Sequence, residues 1–558
     1  MGEDIADDSN YVDNGRNNQD EENDLEDLGQ SVTEVINIDT GYQPNWGPAE
    51  GYRENYQNWK DGIMRSFKIS ERDFKIEPKD GPREKLYLVH HPNSTPRQLV
   101  GFIRFTYDAK DMGFYEMTNF KATLQRRHLV MGGTSKALDK KQMGQHGEGL
   151  KLSAVVNRRH PHNYSFIISA SGCRWTFGWN VDKKMNCRIQ RIPKNELREQ
   201  KEVASQQAEK GLPRETKGRV WEDVSVVVGE PRRCRSLAGE VQMTNKIPLA
   251  EFLKWTKMTI DITPPVQIIR TDEGDLILDP NHKNKVYLHS LLLPSGSKSG
   301  RDFHFGYNLL DAATGRDRDT LTDARAEANK IAAILEEYRL GKADLIEKYV
   351  QLLLNKYHSA ADVYDVEKHI TNNLAKLIWS RMLISNNEPS FYYCGRNDLR
   401  GYVQIKERLR LKPIALDYSL WHLLRAHNLC LTPQEECLRR LRRATNVELK
   451  QDCCFSQHII RGLRALLTSD TPWRNKEIVP VNGQELGIVT VYHEGKIKID
   501  HAYFTYDGAH KATYCADKED GRENITRTFT CDHVLLWLWD QIILARDDMN
   551  AHEEGFYG

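Results

Sequence analysis

Two strand-like runs, LVGFIRFTY and FYEMTN, are joined by the short stretch DAKDMG, residues 108–113. A connection of that length makes a hairpin, and Asp108 and Asp111 read as its turn residues. This hairpin constrains the chain more than any other feature, because similar runs follow it. YSFIISAS, CRWTFGWN and NCRIQRI are rich in β-branched and aromatic residues, and VWEDVSVVV closes the series. A polar stretch near 194–218 interrupts them and reads as an exposed helix. The reading is a sheet-based α/β domain.

Two segments within this frame carry candidate chemistry. In MGQHGEGLKLSA, Gly144, Gly147 and Gly149 fall in six positions, followed by Leu150 and Lys151. Glycines allow close backbone approach to a ligand, and a helix start offers unpaired N–H groups to an anion. The spacing is neither G-x-G-x-x-G nor the P-loop G-x-x-x-x-G-K-[ST]. The stretch is either a phosphate cradle or a glycine-rich helix entry. In GYRENYQNWKDGI, Tyr52, Tyr56, Trp59 and Ile63 share one helical face. Glu54, Asn58 and Asp61 lie together on the other. That polar face is either solvated or turned into a nucleotide site.

The two segments, in this order, resemble the GHKL ATPases, the superfamily of MutL, gyrase B, the MORC proteins, Hsp90 and the histidine kinases. ENYQNWKD is similar to the family's E-x-x-x-N-x-x-D, and MGQHGEGLKLSA to its G-x-x-G-x-G. GTSKA resembles the lid segment. The resemblance implies a Bergerat-type two-layer α/β sandwich that binds ATP and Mg²⁺ between the first helix and the lid. It implies that Glu54 is the general base and that Asn58 ligates Mg²⁺, with Asp61 supporting the helix. Thr134, Ser135 and Lys136 would belong to the lid. Gly144, Gly147, Gly149, Leu150 and Lys151 would receive the phosphates. The family's middle motif, D-x-G-x-G, is replaced by MTNFKATL. Thr118 falls at the aspartate, with Asn119 beside it, and Phe120 and Ala122 stand for glycines. Loss of that carboxylate leaves open a pseudo-ATPase that serves as an interaction scaffold.

The rest of the chain is expected to follow as a transducer-like α+β unit over 236–320, a helical segment over 321–384 and a C-terminal α+β domain over 385–558, mainly helical. The ATPase domain itself is expected over 41–235. In the transducer-like unit, Arg316 and Arg318 are candidate γ-phosphate sensors, or members of a charged loop that pairs with Asp317 and Asp319. Homodimerisation on ATP binding is implied by the resemblance alone.

Charge bears on partners. The chain has 79 basic and 79 acidic residues. Residues 1–40 hold 13 acidic residues and one basic, which leaves 78 against 66, or +12, in the remainder. The first forty residues read as a disordered acidic tail. The body could meet an anionic partner, and CLRRLRRA, with Arg439, Arg440, Arg442 and Arg443, is either a nucleic-acid contact or a solvated helix face. His510, Cys515, Cys531 and His533 lack the paired spacing of a zinc site. No apolar run is long enough to span a membrane, and the expected location is intracellular, in nucleus or cytoplasm.

Overall fold

The alternating runs assemble as β1 (Ser31–Asp39), β2 (Ile76–Gly81), β3 (Glu84–His90), β4 (Leu99–Tyr107), β5 (Met112–Asn119), β6 (Phe166–Ala170), β7 (Cys173–Trp179), β8 (Lys184–Arg191) and β9 (Val224–Val228). Their order across the sheet is β1-β8-β7-β6-β9-β5-β4-β3-β2, and each neighbouring pair is antiparallel. Ile247–Pro248 adds a tenth strand beside β5. The computed structural model describes residues 29–129, 149–235, 241–294, 296–312, 321, 323–337, 343–356, 359–384, 388–395, 399–449, 454–469, 473–483, 486–505 and 532–554.

The β4–β5 turn forms as its sequence predicts. Asp108 Oδ1 accepts from the backbone N–H of Lys110 at 2.9 Å and of Met112 at 3.2 Å. Asp111 adopts φ 55°, a conformation that Asp tolerates. The expectation of disorder up to residue 40 is corrected by β1. SVTEVINID pairs with β8 and buries Ile36 and Ile38. Averaging charge over forty residues hid a β-branched strand at their end.

α1 (Pro48–Phe67) begins with Pro48 in its first turn, and Glu50 accepts from Gly47 N–H at 2.7 Å. Tyr52, Tyr56, Trp59 and Ile63 are all buried, as their spacing predicts. They pack with Ile103 and Phe105 of β4 and with Tyr115 and Met117 of β5 in one large core. Phe102 and Phe120 belong to a separate cluster with Leu86 and Leu99. The sheet is therefore apolar on both faces here, and a one-step shift along a strand changes the side served. α2 (Gly149–Arg158) also packs on α1's side, and α3 (Lys194–Glu209) is the polar helix expected after β8.

A second sheet follows in the order Ile268–Arg270, Gly274–Ile277, Gly306–Leu309, Val286–Leu288, Leu291–Leu293. The run KVYLHSLLLPS is two strands of a hairpin, with His289 and Ser290 at positive φ in its turn. Contacts divide the chain at Glu337, so the first unit is Met1–Glu337 and the second Tyr338–Gly558. This division is coarser than the expected domains. It joins 41–235 and 236–320 in one unit and cuts the expected helical segment 321–384.

The second unit holds helices Ala343–Lys356, Asn372–Ile384, Tyr418–Ala426, Pro433–Arg443, Cys454–Ser469 and Asp532–Glu554. Thr490–His493 and Lys496–Asp500 form an antiparallel pair, and Glu477–Val481 adds a third strand parallel to Lys496–Asp500. Among the described residues, no helix is long and apolar enough to cross a membrane.

Candidate functional site

Small residues bring α1 and α2 together. Ser153 Oγ donates to the carbonyl of Gly51 at 2.9 Å. A Cβ on Gly51 would stand 2.6 Å from Asn157 Nδ2 and 2.8 Å from Val156 Cγ2. One turn further along α1, Glu54 meets the first residue of α2. A Cβ on Gly149 would lie 2.2 Å from Glu54 Oε2. Only glycine lets the helix start come this close to the carboxylate. The last glycine of the G-x-x-G-x-G stretch and the glutamate of E-x-x-x-N-x-x-D are thus in contact across about 95 residues of sequence.

Glu54 is 2% exposed, which is not the burial of a solvated helix face. Arg53 Nη2 stands 3.7 Å from Glu54 Oε1, and the Arg53 guanidinium lies over the ring of Trp46. Asn58 and Asp61, in the following turns, are half-buried. Leu150 is half-buried too, whereas Lys151 is fully buried in α2.

α1 is tied to β5 by polar side chains. Asn55 Nδ2 donates to Tyr115 Oη, and Trp59 Nε1 donates to the carbonyl of Thr118, both at 2.8 Å. Gly62 sits against Asn119, since a Cβ there would be 2.6 Å from Asn119 Nδ2. Thr118, which falls at the aspartate of the middle motif, is turned the other way. It pairs in register with Phe102, whose side chain belongs to the opposite cluster. Its hydroxyl donates to Glu116 Oε1 at 3.0 Å and lies 2.8 Å from Ser225 Oγ. Burial pushes the Glu116 carboxyl up, against the opposing effects of Arg104 and of that hydroxyl. Alternation along β5 thus puts Thr118 on the face away from α1 and Asn119 on the face toward it.

A buried ionic network also holds α1, and the sequence reading missed it. Lys60 Nζ lies 2.7 Å from Asp261 Oδ2 and 3.1 Å from Glu71 Oε1, and donates to the carbonyl of His289 at 3.2 Å. Glu71 Oε2 is 2.6 Å from His289 Nδ1, and Tyr56 Oη donates to Asp261 at 2.7 Å. Burial opposes the charge of Lys60, but Asp261 and Glu71 outweigh it and hold the ammonium above the ordinary lysine range. Burial likewise opposes the charge of Glu71, yet Lys60 and His289 bring its pKa down to about 2. The network links α1 to the hairpin turn of the second sheet. Its one signal in the sequence is a lysine four residues after Tyr56, on the apolar side of an amphipathic helix.

Thr134, Ser135, Lys136, Gly144 and Gly147 lie outside the described residues, as do Arg316 and Arg318. His510, Cys515 and Cys531 do as well. Among the described residues, no group of three or more His, Cys, Asp or Glu side chains could hold a metal ion. The chain matches no protein-family model, and no curated protein matches it.

Proposed function

We propose that the first unit binds ATP with Mg²⁺ and hydrolyses it, in a GHKL-type site on a Bergerat-type sandwich. The observation that carries this reading is the contact of Gly149 with Glu54. It joins the two segments whose order along the chain resembles that superfamily. Glu54 would take the proton of the attacking water, and its burial would restrict it to a water admitted with the substrate. Asn58 would hold Mg²⁺ through its side-chain oxygen. That ion would supply charge neutralisation for the phosphates. The N-terminus of α2 would accept phosphate oxygens. Asn119 would face the base with a neutral amide, able both to accept and to donate. Nucleotide would then bias the link from α1 to the second sheet through Lys60, in the manner of a conformational ATPase of the MORC or Hsp90 style. Dimerisation on ATP belongs to the same reading.

The test is calorimetric titration of Mg-ATP into the whole protein and its Asn58→Ala variant, with turnover measured for Glu54→Gln. Binding removed by Asn58→Ala and turnover removed by Glu54→Gln are expected. Absence of binding at millimolar Mg-ATP would sink the site. One observation favours a second reading, a nucleotide-binding scaffold without turnover. The side chain facing α1 at the end of β5 is the neutral Asn119 rather than a carboxylate. Binding without any turnover above the Glu54→Gln background would select it.

A further inference from the structure

We infer that the second unit carries a separate site for a small organic phosphate, in the cavity at the C-terminal end of the Pro433–Arg443 helix. The cavity, about 460 Å³, is lined by Glu436, Arg439, Arg440, Arg443, Asn482 and Leu486, among others. Its volume suits a small molecule rather than a lone ion. Three guanidinium groups face one carboxylate, so the lining is net positive.

The arginines are held in different ways. Glu436 accepts from Arg439 Nε at 2.6 Å and Nη2 at 2.9 Å, and from Arg440 Nε at 3.0 Å. Arg440 Nη1 donates to the carbonyl of Leu409 at 3.0 Å. The carboxylate is thus occupied by a two-point fork, and the two guanidinium planes are fixed before a ligand arrives. Arg443 is exposed and has no ion-pair or hydrogen-bond partner among the described residues. Ion pairing within the helix accounts for Arg439 and Arg440 but gives Arg443 nothing to do. Arg408, which is outside the lining, donates through Nη1 to the carbonyl of Leu486 at 3.4 Å. Gly487, at φ +71°, leaves it room, since a Cβ there would lie 1.5 Å from its Nη1. Leu486 offers an apolar wall for the organic part of the ligand. Planar donors preset around a cavity are the chemistry that recognises phosphate oxygens.

Hydrogen exchange read peptide by peptide, on the full chain, tests this with pyrophosphate and with ribose 5-phosphate as probes. Local readout separates this cavity from any phosphate binding in the first unit. Protection is expected in peptides covering 433–447 and 480–489. Arg443→Ala should weaken it about tenfold, the worth of one charge-assisted contact. Arg442→Ala removes the same charge one residue away, outside the cavity lining, and should change affinity less than about twofold. Protection by ribose 5-phosphate at lower concentration than by pyrophosphate supports the organic ligand, and the reverse order overturns that part in favour of an inorganic anion. No protection up to about 10 mM of either probe overturns the site. Equal losses in the two arginine variants overturn it in favour of general charge attraction. Tighter binding of a single-stranded oligonucleotide, falling steeply with salt, overturns it in favour of a nucleic-acid surface.

Discussion

α1 and the Pro433–Arg443 helix start alike and end in opposite surroundings. Each has proline in its first turn, and each has a glutamate that accepts from the N-cap backbone, Glu50 at Gly47 and Glu435 at Thr432. Both then carry closely spaced charges. In α1 those charges go inside: Arg53, Glu54 and Lys60 are nearly inaccessible. On the second helix Arg439 and Arg440 keep half and a third of their side chains in water. Local sequence signals set where a helix begins. They do not set the dielectric its charges meet, which decides whether an ion pair costs or contributes several kcal/mol. Buried charge on α1 persists because opposite charge from two other parts of the fold meets it.

The largest test of this contrast is Lys60→Met. It leaves the half-buried Asp261 and Glu71 without their shared, buried cation, so a loss of up to about 3–5 kcal/mol is expected. Urea unfolding followed by tryptophan fluorescence would measure it, and a loss below about 1 kcal/mol would place the pair effectively in water. Acid sharpens the test. The folded pKa of Glu71, about 2, lies below its ordinary value of 4.5. Its contribution is therefore complete above pH 4.5 and disappears as pH falls toward 2. In Lys60→Met that acid-labile component should shrink, because the cation chiefly responsible for the depression is gone.

Gly149→Ala comes next. The new methyl would stand where the Glu54 carboxylate is, so one of them must move. A cost of about 1–3 kcal/mol is expected from overpacking, with loss of any ATP turnover. In a Glu54→Ala background the space is free and the same substitution should cost less. A stability cycle over the four proteins should give a coupling of about 1 kcal/mol or more. Additive effects would mean that the contact does not form in solution, and the strongest support for the nucleotide reading would go with it.

The sheet was legible where its strands alternate and end in recognisable turns. Asp108 and Asp111 announce the β4–β5 turn because Asp caps its own following N–H groups. His289 and Ser290 announce nothing, although both adopt positive φ and split KVYLHSLLLPS into two strands. β1 was masked by its acidic neighbours. At the candidate site, helical spacing placed Glu54, Asn58 and Asp61 on one side of α1, but the partner of Glu54 across the fold was not in that spacing. Thr118 and Asn119 show the limit most sharply. A motif alignment selects the first, and strand alternation turns the second toward α1. Only the register with β4 decides between them. Lys60 was lost for a related reason: sequence gives a charge its helical angle but not the acids that meet it from 11 and 201 residues away.

The smallest expected effect is Glu436→Gln, where the carboxylate is buried but both of its arginine partners reach water. Burial opposes the charge of Glu436, and hydrogen bonds from Arg439 and Arg440 nonetheless hold its pKa below the ordinary carboxylate value. Both arginines reach water, so each can replace the lost oxygen partner with solvent, and Arg440 keeps its bond to Leu409. The cost to unfolding should stay below about 1 kcal/mol. Thermal unfolding beside Lys60→Met, at one pH and ionic strength, measures the difference directly. A Glu436→Gln loss as large as that of Lys60→Met would break the contrast, because it would show that a half-solvated fork is worth as much as a buried one. The predicted inequality follows from the solvent access of the cations, because Glu436 is itself 5% exposed whereas Arg439 and Arg440 reach water and Lys60 does not. The two sites have the same kinds of donor and acceptor at similar distances, 2.6–3.0 Å around Glu436 and 2.7–3.2 Å around Lys60.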